Sequence, residues 1–215
     1  MVRVKICGIT NLRDALRAAA EGADALGFIF VPGSPRRVSS ARAATICRRL
    51  PPFVTRVGVF ANASRAEVCR VVAACGLDVV QLHGEESPAA CRGLPCRVIK
   101  AFRPRRATDL KALRRYPVDA WLVDAFVEGG RRGGTGHLSN WVLARRAARM
   151  GRPLILSGGL TPSNVAAAIR AVGPFAVDAC SGVERAPGRK APLKLAAFVR
   201  GARAAGGLAV GRRRG

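Results

Sequence analysis

The chain has 215 residues, the size of one large domain or two small ones. Apolar residues make up 49% of it, which excludes disorder by composition, and aromatics only 5%, which argues against a stacking platform for single-stranded nucleic acid. Thirty-seven Lys and Arg against 13 Asp and Glu give a net charge of +24. The cations are almost all Arg, spread through nearly every helical segment rather than along one stripe. A nucleic-acid or anionic-surface binder is one reading of this charge; the spread favours the other, the decorated surface of an ordinary enzyme, with no specific nucleic-acid partner expected. No apolar run approaches the roughly 18 residues of a membrane span. Arg3 and Lys5 interrupt the first apolar segment, unlike a signal peptide. The expectation is a soluble, cytoplasmic chain with no membrane partner. Seven cysteines, at 7, 47, 69, 75, 91, 96 and 180, form no CxxC pair. Neither a metal site nor a disulfide framework is expected, and most are read as small buried fillers.

Apolar, β-branched runs alternate with Ala/Arg/Leu segments of helical period along the whole chain. Strands are predicted to begin near Val2, Ala25, Thr55, Asp78, Arg97, Asp119, Pro153 and Phe175. Helices are predicted near Asn11, Ser40, Ser64, Glu86, Ala107, Ser139, Thr161 and Pro192. Ser64 precedes Glu67 by three residues, as in a capping box, and Thr161-Pro162 reads as an N-cap before a first-turn proline. Eight strands and eight helices in strict order imply a parallel sheet with crossover helices. At about 25 residues per unit they fit an α/β fold, a single closed (β/α)₈ barrel over residues 1–205. An open doubly wound sheet is the alternative, but it usually has fewer units and a glycine fingerprint after its first strand. Residues 206–215 are Gly/Arg-rich and read as a disordered basic tail.

In such a barrel the chemistry sits at the C-terminal ends of the strands. The first strand ends at Cys7, readable as a nucleophile, a base or a buried filler. The second is followed by Ser34-Pro35-Arg36-Arg37, guanidiniums suited to a carboxylate. The fourth ends Gln81-Leu82-His83, where His83 is either functional or a satisfied structural imidazole. The sixth ends at Asp124. A carboxyl closing an apolar strand must be hydrogen-bonded or functional, so a general acid and a loop salt bridge both fit. The glycine-dense loop Gly129 to Gly136 reads as a lid or a flexible linker. The seventh and eighth strands lead into Ser157-Gly158-Gly159 and Asp178-Ala179-Cys180-Ser181-Gly182. Barrels place phosphates in that position against free backbone N–H groups.

Lys5-Ile6-Cys7-Gly8-Ile9-Thr10, Gly27-Phe28-Ile29-Phe30, Ser34-Pro35-Arg36, Val57-Gly58-Val59-Phe60, Val80-Gln81-Leu82-His83-Gly84, Gly133-Gly134-Thr135-Gly136, Leu156-Ser157-Gly158-Gly159-Leu160 and Ser181-Gly182-Val183-Glu184 follow one another in order. Together they resemble the phosphoribosylanthranilate isomerase family of tryptophan biosynthesis, from Val4 to about Pro187. The resemblance implies a (β/α)₈ barrel that converts N-(5-phosphoribosyl)anthranilate to 1-(2-carboxyphenylamino)-1-deoxyribulose 5-phosphate by an Amadori rearrangement. It implies Asp124 as general acid and Cys7 as general base. Arg36 would hold the anthranilate carboxylate, and the loops at Gly158-Gly159 and Ser181-Gly182 the phosphate, with Asp178 and His83 in supporting places. No cofactor is implied, because the iminium formed on ring opening is its own electron sink. The small-molecule phosphosugar is the expected partner; oligomeric state is left open. The chain departs from the family's pattern at Arg37, where an aromatic residue is common. It departs also at His137, where Lys is common, and at Cys180, where a small hydroxyl residue is usual. Another phosphosugar isomerase barrel is the competing reading. Those enzymes typically use two carboxylates, whereas this first strand ends in Cys7.

Overall fold

The computed structural model describes the backbone of residues 1–124 and 136–210, with side chains for all of these except 136–140 and 208–210. Eight parallel strands are each hydrogen-bonded to the next, and the last closes on the first. They are β1 (Arg3–Ile6), β2 (Ala25–Ile29), β3 (Thr55–Phe60), β4 (Val79–Leu82), β5 (Arg97–Phe102), β6 (Ala120–Asp124), β7 (Leu154–Ser157) and β8 (Ala176–Ala179). Each begins within one residue of its predicted start. The crossovers carry α1 (Leu12–Ala20), α2 (Ser40–Cys47), α3 (Arg65–Cys75), α4 (Leu110–Leu113), α5 (Gly136–Ala148) and α6 (Val165–Val172), and α7 (Pro192–Val210) follows β8. The glycine-dense loop up to Thr135, the side chain of His137 and the last tail residues, 211–215, lie outside the described residues. Residues 206–210 continue α7.

Two helix predictions are corrected. The segment after β4 forms only a 3-10 turn at Ala89–Cys91. Pro88 precedes it, while Gly93 (φ 60°) and Pro95 follow, so too few residues remain between breakers for an α-helix. The sixth helix starts at Val165 rather than Thr161. Thr161-Pro162-Ser163 instead makes a turn, held by Asn164 Oδ1 accepting the Thr161 N–H at 2.8 Å. The other local signals hold: Ser64 accepts the Glu67 N–H, and Gly76 closes α3 in the left-handed region. A small antiparallel hairpin, β9 (Glu184–Ala186) and β10 (Arg189–Lys190), follows β8 and was not predicted. Its turn is Pro187-Gly188, a dipeptide that signals one.

Strand residues alternate between two apolar layers. Val4, Ile6, Val98, Trp121, Val123, Leu154, Leu156 and Val177 join the large core between sheet and helices. Ile99, Ala101, Ala120, Leu122, Ile155 and Ala176 form a second, smaller cluster. Three aspartates fasten the N-terminal end. Asp24, Asp78 and Asp119 each stand just before an even-numbered strand and exchange two hydrogen bonds with the preceding strand. The Asp24 carboxylate accepts the Val4 N–H at 2.6 Å and Asp24 N–H donates to Val4 O at 2.8 Å. Asp78 makes the same clasp with Arg56, and Asp119 with Val98. At the β7–β8 junction Phe175 occupies that place and has no carboxylate for the clasp: its N–H donates to Leu154 O, and its carbonyl accepts from Arg3 of β1. A cavity of about 620 Å³ opens at this end, lined mainly by small and apolar residues such as Ala25, Val57, Ala120 and Ala176.

The fold carries an acid liability. Burial raises the carboxyl pKa of Asp78, Glu86 and Glu184. Hydrogen-bonded partners outweigh it (Arg56 for Asp78; the Asn62 N–H and Lys100 for Glu86; Arg36 and Lys190 for Glu184), so all three lie below their ordinary values of 3.8 and 4.5. Depressed carboxyl pKa values mean that the unfolded chain binds more protons in acid. Their contribution is complete above the unfolded values and is lost as pH falls through the folded ones. The urea midpoint is expected to fall steadily as pH drops below about 4.5; a midpoint that is flat down to pH 3 would contradict this.

Candidate active site

The C-terminal mouth of the barrel holds a cavity of about 410 Å³. It gathers Cys7, Arg36, His83, Asp124, Gly158, Gly159, Asp178, Ser181 and Gly182, the residues to which the family resemblance gives roles. Ser34, Gln81, Arg103, Ser157 and Cys180 line it too.

Cys7 is the first residue beyond β1 and is 5% exposed. Its thiol pKa is lowered to about 7, first because the Cys180 thiol donates to its sulfur and next because Lys5 lies close by; burial opposes both. Lys5 points into the same interior and pairs with Asp178 at 3.0 Å, both side chains buried. Burial works against the Lys5 charge. Asp178 and Cys7 outweigh it and hold the ammonium above its usual range. Ser157 donates to the other Asp178 oxygen at 3.1 Å. A cation is thus fixed beside a sulfur that is readily ionised at neutral pH.

Asp124 ends β6, in register with Ser157 on β7. Arg103 Nε reaches its Oδ2 at 3.3 Å. His83 follows β4, takes a hydrogen bond from Gln81 Nε2 at 2.9 Å, and lies 3.5 Å from Arg103. Burial, and after it Arg103, lowers the His83 pKa, so the ring is neutral at pH 7. Gln81 Oε1 is buried with no hydrogen-bond partner among the described residues, an acceptor left open at the cavity wall.

Arg36 is fixed by Glu184 through Nε and Nη2, at 3.0 and 2.7 Å. Glu184 also takes Lys190 Nζ at 3.0 Å, and Lys190 in turn holds the Cys7 and Cys180 carbonyls. Glu184, Lys190, Arg103 and Gln81 were not picked out by sequence reasoning as site residues. The interleaved Glu184 and Lys190 of the hairpin after β8 were the one available signal.

The loops after β7 and β8 touch closely. Gly158 and Gly159 have φ of 91° and 64°, a backbone that favours glycine. Their N–H groups donate to no carbonyl among the described residues. A Cβ at Gly182 would overlap the Leu160 carbonyl oxygen. This rim presents unspent backbone donors, as anion sites do. Among the described residues no three His, Cys, Asp or Glu side chains converge as metal ligands.

Comparison with known proteins gives concordant matches. Residues 4–201 match the family model for N-(5'phosphoribosyl)anthranilate (PRA) isomerase. A relative from Pelobacter propionicus named N-(5'-phosphoribosyl)anthranilate isomerase is 52% identical over 200 residues, 93% of this chain and 95% of its own. The crystal structure of phosphoribosyl anthranilate isomerase from Thermotoga maritima superposes with a TM-score of 0.85 at 44% identity, covering 95% of this chain and all of that one. A further crystal structure of such an isomerase, in complex with reduced 1-(o-carboxyphenylamino)-1-deoxyribulose 5-phosphate, gives 0.82 at 42% identity over 95% of this chain and all of the other.

Proposed function

The chain belongs to the N-(5'-phosphoribosyl)anthranilate isomerase family, and on that premise we propose that Cys7 and Asp124 work as base and acid on one pentose. The enzyme catalyses the Amadori rearrangement of N-(5'-phosphoribosyl)anthranilate in tryptophan biosynthesis. The observation that carries the assignment is that a thiol and a carboxyl from strands on different sides of the barrel line one cavity with the two phosphate-type loops.

Asp124 gives a proton to the ribose ring oxygen as the C1′–O bond breaks, and the anilino nitrogen lone pair forms an iminium. The Cys7 thiolate removes the C2′ proton, and the released electron pair flows into the iminium to give an enolamine. Tautomerisation to the C2′ ketone completes the reaction. A thiolate suits the second step because it is ionised near pH 7 and its conjugate acid is strong enough to be recycled. Arg36, oriented by Glu184, receives the anthranilate carboxylate. Gly158, Gly159, Ser181 and Gly182 receive the phosphate, while Asp178 holds Lys5 toward Cys7 and His83 lines the sugar's side of the cavity. The working partner is this doubly anionic phosphosugar, which the positive surface would steer inward. No specific nucleic acid or membrane belongs to this reading, and the place of action is the cytoplasm. Among the described residues no helix is long and apolar enough to cross a membrane.

Turnover of N-(5'-phosphoribosyl)anthranilate by the purified chain, followed as appearance of the rearranged ketose, tests the activity. A panel of other phosphosugars tests the competing isomerase reading. Gly182→Ala tests the phosphate loops. By forcing the β7 and β8 loops apart it is expected to raise KM about tenfold with a smaller change in kcat, since the phosphate is remote from the reacting bonds. An unchanged KM would remove the phosphate from this rim.

A further inference from the structure

Cys7 and Cys180 are distant in sequence and adjacent in the barrel. Ile6 and Ala179 are Cα partners at the ends of β1 and β8, and each cysteine is the residue just past its strand. The Cys7 N–H donates to Ala179 O at 2.9 Å, and Lys190 Nζ takes both cysteine carbonyls, at 2.6 and 3.2 Å. The paired strand ends they leave run about 5 Å apart, inside the Cα window of about 4.4–6.8 Å that a disulfide spans. The Cys180 thiol reaches Glu184 Oε1 at 4.0 Å, and its nearness to Cys7 helps to draw the Cys7 thiol toward the thiolate. Two glycines make room for them. A Cβ at Gly27 would stand 2.7 Å from Cys7 Sγ, and one at Gly8 2.9 Å from Cys180 Sγ. Both cysteines line the substrate cavity, so a small oxidant reaches them by the same route as substrate. Burial pushes Cys47, Cys75, Cys91 and Cys96 away from the reactive thiolate, whereas Cys7 is drawn toward it.

We propose that Cys7 and Cys180 are an oxidative modification site, closing to an intramolecular disulfide on reaction with a hydroperoxide and reopening with a dithiol reductant. The Cys7 thiolate attacks one peroxide oxygen and breaks the O–O bond, giving a sulfenic acid and, with hydrogen peroxide, hydroxide. Cys180 then attacks the sulfenic sulfur. The S–O bond breaks, hydroxide leaves, and the proton lost by Cys180 makes it water. Two thiols and one peroxide become one disulfide and two waters, the two electrons passing to the peroxide. Cys180 is the resolving thiol that keeps Cys7 from irreversible over-oxidation. The chemistry does not depend on Cys7 being the base; only the accompanying loss of turnover rests on that reading.

Trypsin separates the two cysteines cleanly, into residues 6–13 and 171–185. After brief treatment of the full chain with equimolar hydrogen peroxide, mass spectrometry is expected to show these peptides joined, with dithiothreitol releasing them. Turnover should fall at least about tenfold and return with dithiothreitol. In Cys180→Ser, which retains a hydroxyl donor, a several-fold excess of peroxide should leave Cys7 as sulfinic or sulfonic acid, and the lost turnover should not return. An oxidised, inactive chain without the joined peptides, or a Cys180→Ser variant that recovers as fully as the parent, would overturn the proposal. Joined peptides together with an active Cys7→Ala variant would instead overturn the base assignment and leave the modification site standing.

Discussion

Cys7→Ala is expected to lower kcat about a thousandfold, with KM within about threefold of the parent, because a general base acts in the transition state and adds little to substrate binding. Alanine keeps the packing of a small buried residue and removes only the sulfur. Cys7→Ser should be almost as poor, since a hydroxyl holds its proton far above neutral pH. The parent's kcat/KM should rise with pH through about 7, where the thiolate forms. The sign follows from the neighbours. The Cys180 donor and Lys5 favour the charged sulfur, so removing the donor in Cys180→Ala must move the rising limb to higher pH. A Cys7→Ala enzyme with near-parental kcat, or a parental rate that is flat from pH 6 to 9, would refute the assignment.

Asp124→Asn should cost about 10²–10⁴-fold in kcat, the usual range for a positioned proton donor. The amide has the size and shape of the carboxyl and can still meet Arg103, so β6 and its register with Ser157 should be unaffected. What it lacks is a proton to give as the ring C–O bond breaks. The rising limb set by Cys7 should remain, because the substitution leaves Cys7, Lys5 and Cys180 in place. A variant that keeps most of its rate would show that the ring is opened by another group.

Much of this was legible before any coordinates, for a physical reason. In an eight-fold βα repeat the hydrophobic period places every strand end, and strand ends place the rim, so Cys7, Arg36, His83, Asp124, Gly158 and Ser181 stood among the rim candidates by position, and the family resemblance chose them from their neighbours. Where breakers outweigh period the reading failed. Pro88, Gly93 and Pro95 reduce the fourth crossover to a 3-10 turn, and Asn164 moves the start of α6. Contacts made by closure were out of reach. Nothing local in Cys180 says that β8 closes on β1 beside Cys7, and nothing in Glu184 says that it reaches Arg36, 148 positions away. Those contacts depend on the barrel closing, which no sequence window contains.

The aspartate clasps divide the barrel into segments of unequal independence. Each closes a strand pair that is contiguous in the chain, β1–β2, β3–β4 and β5–β6, over a separation of about 20 residues. The ends of the molecule meet as well, with Arg203 of α7 hydrogen-bonded to the Val2 carbonyl and to Asp24. A circularly permuted chain can therefore open between β2 and β3, or between β4 and β5, and keep all three clasps within continuous sequence. A cut between Val4 and Asp24 would turn the first clasp into a contact between opposite ends. The barrel thus has natural seams, and they fall where its N-terminal ring of hydrogen bonds is not being tied.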